Sequence, residues 1–466
     1  MNNQGAKALP PLRKDWRYHF LGIGGVGMSG IAEVLFRNGY QVSGSDAKSG
    51  NGVHRLTDMG IPVEIGHHPE ALDGNDLIVY SSAIKPSHAI WKDVDKRGIQ
   101  RAHRAELLGA LTKEKNTIAV AGTHGKTTSS ACLTHVLTHA GYDPTALIGG
   151  YVPQFDGGNI RIGQSPWLVI EADESDGSFV HFAPKTILVT NVEADHLDFH
   201  GSEEAVEQVF REFISGLPEG GQLVFCADDP GAVRAAQALE KHVNIISYGQ
   251  VESAQVRFCV EGGNGEGMNV SIYENGTRHQ FRSVLLGQHN AANLAGVYAT
   301  ARAVGIEPKV ILEALQDFRG VARRQEFLGQ VNNVLVFDDY AHHPTEVEAT
   351  LGLFREFYQK PISVIFQPHL FSRTKTFAEK FAKALSIADR VYLVDIYPAR
   401  EEQMPGVTSQ IILDHLHQHP AASFLENWKE CQHLLTQGEI EEGILILMGA
   451  GDITEAQEIL FPKGQL

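Results

Sequence analysis

A short apolar run that enters a glycine-bearing turn and leaves it as a helix most restricts how this chain can fold, and the pattern recurs along the sequence. The first instance is Tyr18-His19-Phe20-Leu21, then Gly22-Ile23-Gly24-Gly25-Val26-Gly27 and a helical stretch to about Asn38, stopped by Gly39. Gln41-Val42-Ser43-Gly44-Ser45-Asp46 reads as the next strand. The second is Thr117-Ile118-Ala119-Val120-Ala121, then Gly122-Thr123-His124-Gly125-Lys126-Thr127-Thr128 and an apolar helix. A third block holds Val334-Leu335-Val336-Phe337, Ser363-Val364-Ile365-Phe366, Val391-Tyr392-Leu393-Val394 and Ile444-Leu445-Ile446-Leu447. Continuous apolar runs of this length suit parallel strands buried on both faces and covered by helices. From Val251 to about Leu286 the residues alternate apolar and polar around Gly262-Gly263-Asn264-Gly265, as in a small antiparallel patch. An α/β chain of three domains is predicted: residues 1–112 Rossmann-like, 113–324 a central P-loop α/β domain bearing the antiparallel patch, and 325–466 again Rossmann-like.

Composition excludes several classes. Hydrophobic residues make up 43% and charged residues 20%, enough for packed cores and unlike a disordered chain. No apolar stretch approaches the ~20 residues of a membrane span, so no membrane insertion is expected. The opening MNNQGAKALPPLRKD has no apolar centre, so no secretory signal is expected. Four cysteines, Cys132, Cys226, Cys259 and Cys431, are far apart in sequence, which argues against a disulfide framework or zinc ribbon and fits a reducing cytoplasm. With 39 basic against 56 acidic residues the net charge is −17, which argues against sequence-independent nucleic-acid binding.

Gly22-x-Gly24-x-x-Gly27 follows a strand and opens a helix, with Asp46 nineteen residues beyond Gly27. Such a loop lets backbone approach a pyrophosphate at a helix N-terminus, while the acid reaches a ribose hydroxyl. A tight turn without ligand is the bland alternative, and the motif does not say which nucleotide. The second loop departs from the strict phosphate-loop spacing, because Val120 stands where its first glycine belongs. It keeps the Gly-Lys-Thr core: backbone N–H groups to cradle phosphates, Lys126 for the β/γ oxygens and the Thr127 hydroxyl for magnesium. ATP is therefore expected here. Two acidic runs, Glu171-Ala172-Asp173-Glu174-Ser175-Asp176 and Asn191-Val192-Glu193-Ala194-Asp195-His196-Leu197-Asp198, end apolar strands, where ligands bind in open α/β sheets. Mg2+ takes oxygen ligands, so a carboxylate such as Glu171 is expected at it, and His196 is a less usual donor. Solvated acidic loops are the bland alternative.

Together these motifs resemble the Mur ligase superfamily, ATP-dependent amide ligases of bacterial peptidoglycan synthesis. Further matches are Gln288-His289-Asn290, Arg323-Arg324, Asp338-Asp339-Tyr340-Ala341-His342-His343-Pro344-Thr345-Glu346 and Gly449-Ala450-Gly451-Asp452, in order over nearly the whole chain. His124, where the family usually has Asn, and Gly22 through Gly30 point to the branch that charges UDP-N-acetylmuramate with L-alanine. The resemblance implies a UDP-sugar domain, a central ATPase and a C-terminal domain that closes with the amino acid. Carried over by position, Gly22, Gly24, Gly25, Gly27, Asp46 and Ser82 would bind the UDP-sugar. Gly122 through Thr128, His289, Asn290, Asn293, Arg324 and Asp339 would bind ATP. Thr127, Glu171 and His196 would hold the metal, with Glu174 as the alternative to Glu171. Lys126, Arg324, His342 and His369 would act in catalysis, and His369 and Arg373 would meet alanine. No general base is singled out between His342 and His369.

Two departures from the family pattern stand out. Leu370 follows His369 where many relatives place an arginine, which leaves Arg373 as the side-chain partner for the alanine carboxylate. No lysine lies between Lys185 and Lys241, so the carbamylated lysine of several sister ligases is not expected. The rivals are a murein-recycling ligase that attaches a tripeptide, an NAD-dependent oxidoreductase and a non-catalytic nucleotide-binding regulator. A monomer or a homodimer is expected.

Overall fold

The computed structural model describes residues 9–462 apart from 156–157, 175–176, 194–201, 240–241, 400, 417–418 and 420. It holds three sheets, as the recurring strand–turn–helix pattern predicts. The first is five parallel strands in the order Val63–Ile65, Gln41–Asp46, Arg17–Leu21, Leu77–Tyr80, Gln100–His103. Chain order reverses between Arg17–Leu21 and Leu77–Tyr80, which opens a crevice at their carboxyl ends, where the first glycine loop lies.

The second sheet has ten strands, and Asn116–Ala121 lies inside it between Thr186–Val189 and Trp167–Ala172, parallel to both. Its burial pattern is continuous, as expected of a strand covered on both faces. At one end of the sheet come Val256–Asn264, Gly267–Glu274 and Thr277–Ser283, joined by two-residue connections. Connections that short can only close antiparallel hairpins, so the alternating stretch is the expected antiparallel patch. The third sheet orders Glu326–Val331, Asn333–Asp339, Glu442–Met448, Ile362–Phe366, Arg390–Leu393 and Ala422–Phe424; its first pair is antiparallel and the rest are parallel.

By compactness the chain forms two units. One takes Met1–Glu261, Val270–Ser283 and Gln288–Phe318; the other takes Gly262–Asn269, Val284–Gly287 and Arg319–Leu466. The first sheet and most of the second share a unit because they share a core. Residues from both, such as Phe20, Ile31, Ile170 and Phe210, belong to one buried apolar cluster. Helix Val26–Arg37 reaches the second sheet through Gly30, where an added Cβ would stand 3.1–3.3 Å from Ile160 and Leu147. No helix among the described residues is long and apolar enough to cross a membrane.

Candidate functional site

The second glycine loop leaves strand Asn116–Ala121 and opens helix Lys126–His139. Gly125 has φ +81, and an added Cβ would lie 2.3 Å from Asn293 Oδ1, so only glycine fits beneath that side chain. Gly122, at φ +142, faces the Thr190 hydroxyl as closely. Thr190 Oγ1 donates to the His124 carbonyl at 2.6 Å, and the His124 N–H donates to Asn191 Oδ1 at 2.8 Å. The loop is thus fixed by strand end Thr190-Asn191 on one side and helix Gln288–Ala303 on the other.

Lys126 points back into this loop. Its ammonium donates to the carbonyls of Gly122 (2.6 Å) and Thr123 (3.1 Å) and to Glu174 Oε2 (2.8 Å). The Thr127 hydroxyl donates to Glu171 Oε1 at 3.0 Å, and the Gly149 N–H donates to Glu171 Oε2 at 2.7 Å. Burial pushes the pKa of both glutamates up, against the pull of Lys126 on each and of the Gly149 and Thr127 donors on Glu171. A hydroxyl and a partly buried carboxylate side by side are hard oxygen donors, the chemistry that suits Mg2+. Thr127 and Glu171 therefore fit such an ion, while the expected donor His196 lies outside the described residues. Thr128 is partly exposed on the first turn of the same helix. Asn290 and Asn293 are buried on helix Gln288–Ala303, 3.5 Å apart between Oδ1 and Nδ2. His289 lies beside them at the start of the same helix and is exposed.

In the first sheet Gly22, Gly24 and Gly25 line the turn before helix Val26–Arg37, and Gly27 sits in its first turn. The Asp46 carboxylate accepts the Gly24 N–H at 2.8 Å and so braces the loop itself. Ser82 is exposed just beyond strand Leu77–Tyr80.

The second unit gathers the remaining candidates at the carboxyl ends of its parallel strands. Arg323 and Arg324 both lie over the Tyr340 ring, 5.0 and 5.3 Å from its centre. Asp339 is buried; its Oδ2 accepts the Gln325 N–H at 2.8 Å and its Oδ1 the Ala341 N–H at 2.9 Å. This carboxylate holds the turn that carries Arg324. His342 and His369 meet edge to face, 5.6 Å between ring centres, and Tyr397 stacks on His369 at 5.8 Å.

Hydrogen-bond chemistry assigns both tautomers. His342 Nδ1 lies 2.9 Å from the Tyr340 carbonyl, which only accepts, so the proton is on Nδ1 and the Nε2 lone pair is available. His369 Nδ1 lies 3.5 Å from Arg373 Nη1, which only donates, so its Nδ1 is unprotonated. Burial lowers the His342 pKa despite Glu346, which is 3.4 Å from Nδ1.

Sequence patterns single out Lys126, Thr127 and Glu171, and the structure brings these together; likewise His342, His369 and Arg373. Spacing does not reveal Gly149 or Tyr397. A glycine pair inside strand Thr145–Val152 is the signal for the first, since glycine in a strand marks a close approach.

Three family models match in order: the Mur ligase family catalytic domain over residues 17–116, the Mur ligase middle domain over 120–301 and the Mur ligase glutamate ligase domain over 323–451. The chain belongs to the Mur ligase family. It is 41% identical over 442 residues to a UDP-N-acetylmuramate–L-alanine ligase of Renibacterium salmoninarum, covering 94% of each chain. The solved UDP-N-acetylmuramate-alanine ligase MurC of Thermotoga maritima superposes with TM-score 0.78 at 28% identity, covering 96% of this chain and 98% of that one. A murein peptide ligase from Psychrobacter arcticus gives TM-score 0.67 at 25% identity, covering 97% and 99%.

Proposed function

We propose that this chain joins L-alanine to the lactyl carboxylate of UDP-N-acetylmuramate with consumption of ATP, as a step of peptidoglycan synthesis. The observation that carries this is the 41% identity, over 94% of both chains, to a relative of that name. The murein peptide ligase is the second reading, and its lower similarity ranks it behind. Residues 1–112, 113–324 and 325–466 would be the UDP-sugar, ATP and amino-acid domains. The four scattered cysteines fit a reducing cytoplasm, the net charge of −17 argues against sequence-independent nucleic-acid binding, and no apolar stretch is long enough for a membrane-spanning helix; the chain would act as a monomer or homodimer.

A carboxylate does not react with an amine near neutrality, because oxide would have to leave. In the proposed reaction the lactyl carboxylate attacks the γ-phosphorus of ATP and ADP departs, giving an acyl phosphate. The alanine amine then attacks the acyl carbon and phosphate leaves. Gly122 to Thr128 cradle the phosphates, and Lys126 exchanges its bond to Glu174 for γ-phosphate oxygens. Thr127 and Glu171, with His196, would hold Mg2+, which supplies positive charge to the phosphate oxygens. Asn290, Asn293 and His289 line the nucleotide side. Arg324 adds charge at the γ-phosphate. Asp339 stands among the residues expected at ATP; its buried bonds to Gln325 and Ala341 favour orienting Arg324 over direct contact with the nucleotide.

Arg373 and His369 receive the alanine carboxylate. Of the two histidines, His342 is the better general base, because its Nε2 lone pair is available and burial keeps the ring neutral. Gly22, Gly24, Gly25, Gly27, Asp46 and Ser82 frame the UDP-sugar. A phosphate-release assay tests the proposal: release that requires UDP-N-acetylmuramate and L-alanine together supports it. A preference for a tripeptide over alanine would establish the second reading, and release independent of an acceptor would sink both.

A further inference from the structure

We infer that Arg323 is a positioning residue: paired with the buried Asp338, it fixes the Tyr340 ring on which Arg324 rests, and so sets the aim of Arg324. The inference rests on the proposed reaction, in which Arg324 meets the γ-phosphate, and adds to it two residues that act without touching substrate.

The Arg323 guanidinium ties three segments together. Its Nη2 donates to the carbonyl of Gly449, which directly follows strand Glu442–Met448. Its Nε faces Asp338 Oδ2 at 3.3 Å, and its central carbon lies 5.0 Å from the centre of the Tyr340 ring. The Arg323 carbonyl also accepts the Tyr340 N–H at 2.7 Å, so Tyr340 is held by its ring and by its main chain. The Arg324 guanidinium lies over the same ring at 5.3 Å. Two cations around one ring repel each other, and a carboxylate beside the first offsets that repulsion.

This pair contributes geometry more than stability. Asp338 is 1% exposed, and its Oδ1 has no hydrogen-bond partner among the described residues. A carboxylate buried in this way gains little net stability from an ion pair, because desolvation cancels most of the attraction. Arg323 (φ +60) and Gln325 (φ +54) adopt left-handed backbone on either side of Arg324, a conformation that persists where the surroundings impose it. Glu326 lies opposite Asp338 in the antiparallel pair and accepts the Arg323 N–H at 2.8 Å. Asp339 follows Asp338 in the strand, and apolar Leu447 stands opposite on the other side. Burial raises the Asp338 pKa to about 7; Arg323 opposes the rise, and Glu326 and Asp339 add to it. The ion pair is therefore made as pH rises through neutrality and lost as pH falls.

Steady-state kinetics on the full chain tests this. Asp338→Asn, which keeps the shape and removes the charge, should lower kcat about ten- to a hundredfold, the cost of a slightly misplaced catalytic group, with the KM for ATP within about threefold. In the parent, kcat/KM for ATP should rise as pH passes about 7, and Asp338→Asn should abolish that rise. Arg323→Lys, whose single ammonium cannot meet Asp338 and Gly449 as a fork does, should lower kcat as far, and it carries the test if Asp338→Asn does not fold. An unchanged kcat in the folded variants would overturn the inference, as would a rise near pH 7 that survives Asp338→Asn. An equal increase in the KM of all three substrates would mark a structural role and overturn it too. A parent chain that releases no phosphate with UDP-N-acetylmuramate and L-alanine would instead overturn the proposed reaction, and this inference with it.

Discussion

The Lys126 ammonium and the Glu174 carboxylate lie 2.8 Å apart, with Glu174 buried beneath the glycine loop. The lysine is thus held in place before any phosphate arrives. Lys126→Ala should lower turnover by about a hundred- to a thousandfold, the usual cost of removing one charge-stabilising donor. UDP-N-acetylmuramate binding, measured by calorimetry, should be unchanged, because its glycine loop belongs to another sheet. Loss of both would mean that the two loops are wrongly assigned.

Gly149 should matter through Glu171. An added Cβ would stand 2.8 and 2.9 Å from the two carboxylate oxygens, closer than they can tolerate. Gly149→Ala should push the carboxylate away from Thr127 and raise the Mg2+ concentration needed for half-maximal rate by about tenfold or more. Mn2+ binding followed by electron paramagnetic resonance in the presence of ATP should weaken in parallel. An unaltered metal requirement would remove Gly149 from the site's support.

With Leu370 in place of an arginine, Arg373 should carry most of the alanine carboxylate's recognition. Arg373→Ala should raise the KM for L-alanine about ten- to a hundredfold and leave those for ATP and the sugar nucleotide nearly as they were. Steady-state kinetics with each substrate varied in turn will show whether the loss is confined to alanine.

His342 titrates below its ordinary 6.5 because it is buried. The base must be neutral, so kcat/KM for alanine should fall only as pH drops beneath that value. His342→Gln should abolish this acid limb and slow the reaction about a hundredfold or more. A limb that persists in the variant belongs to another group.

His19 bears on stability. It is 2% exposed between the hydroxyls of Ser43 (2.9 Å) and Ser45 (3.3 Å), and burial lowers its pKa to about 4. Its stabilising contribution is complete above the unfolded value of 6.5 and is lost as pH falls toward 4, because the unfolded chain takes up the proton first. About 3 kcal/mol is at stake over that window. Denaturant titrations at pH 7 and pH 4.5 should show a smaller difference in His19→Asn than in the parent.

Much of this architecture is legible in residue patterns, for reasons that differ by element. Ile444 to Leu447 and Ile362 to Phe366 are buried on both faces, so their apolar runs announce parallel strands. Glu326–Val331 does not announce itself: it is an edge strand with a bulge at Phe327 and Gly329, and its alternation is broken there. The phosphate loop is legible because glycine is required wherever backbone crowds a neighbour, as Gly125 does beneath Asn293. The partners that orient it are not, since Asn191, Glu174 and Gly149 come from distant strands. Nor does sequence show that Asp46 and Asp339 spend their oxygens on backbone N–H groups, for that depends on how two loops meet.

Leu370, between His369 and helix Phe371–Leu385, has φ +71, a conformation that a branched residue adopts only when its surroundings impose it. Its N–H donates to the Tyr397 carbonyl at 2.9 Å, and the Tyr397 N–H returns a bond to Pro368 at the same distance. That clasp is a mechanical spring held under load. Replacing Leu370 with glycine would relieve backbone strain on the order of 1–3 kcal/mol, but the looser unfolded chain and the lost leucine side chain would take back about as much, so the fold would gain little. The change would be felt as aim and not as hardiness, because the imidazole next to the clasp would lose the stiffness of its support.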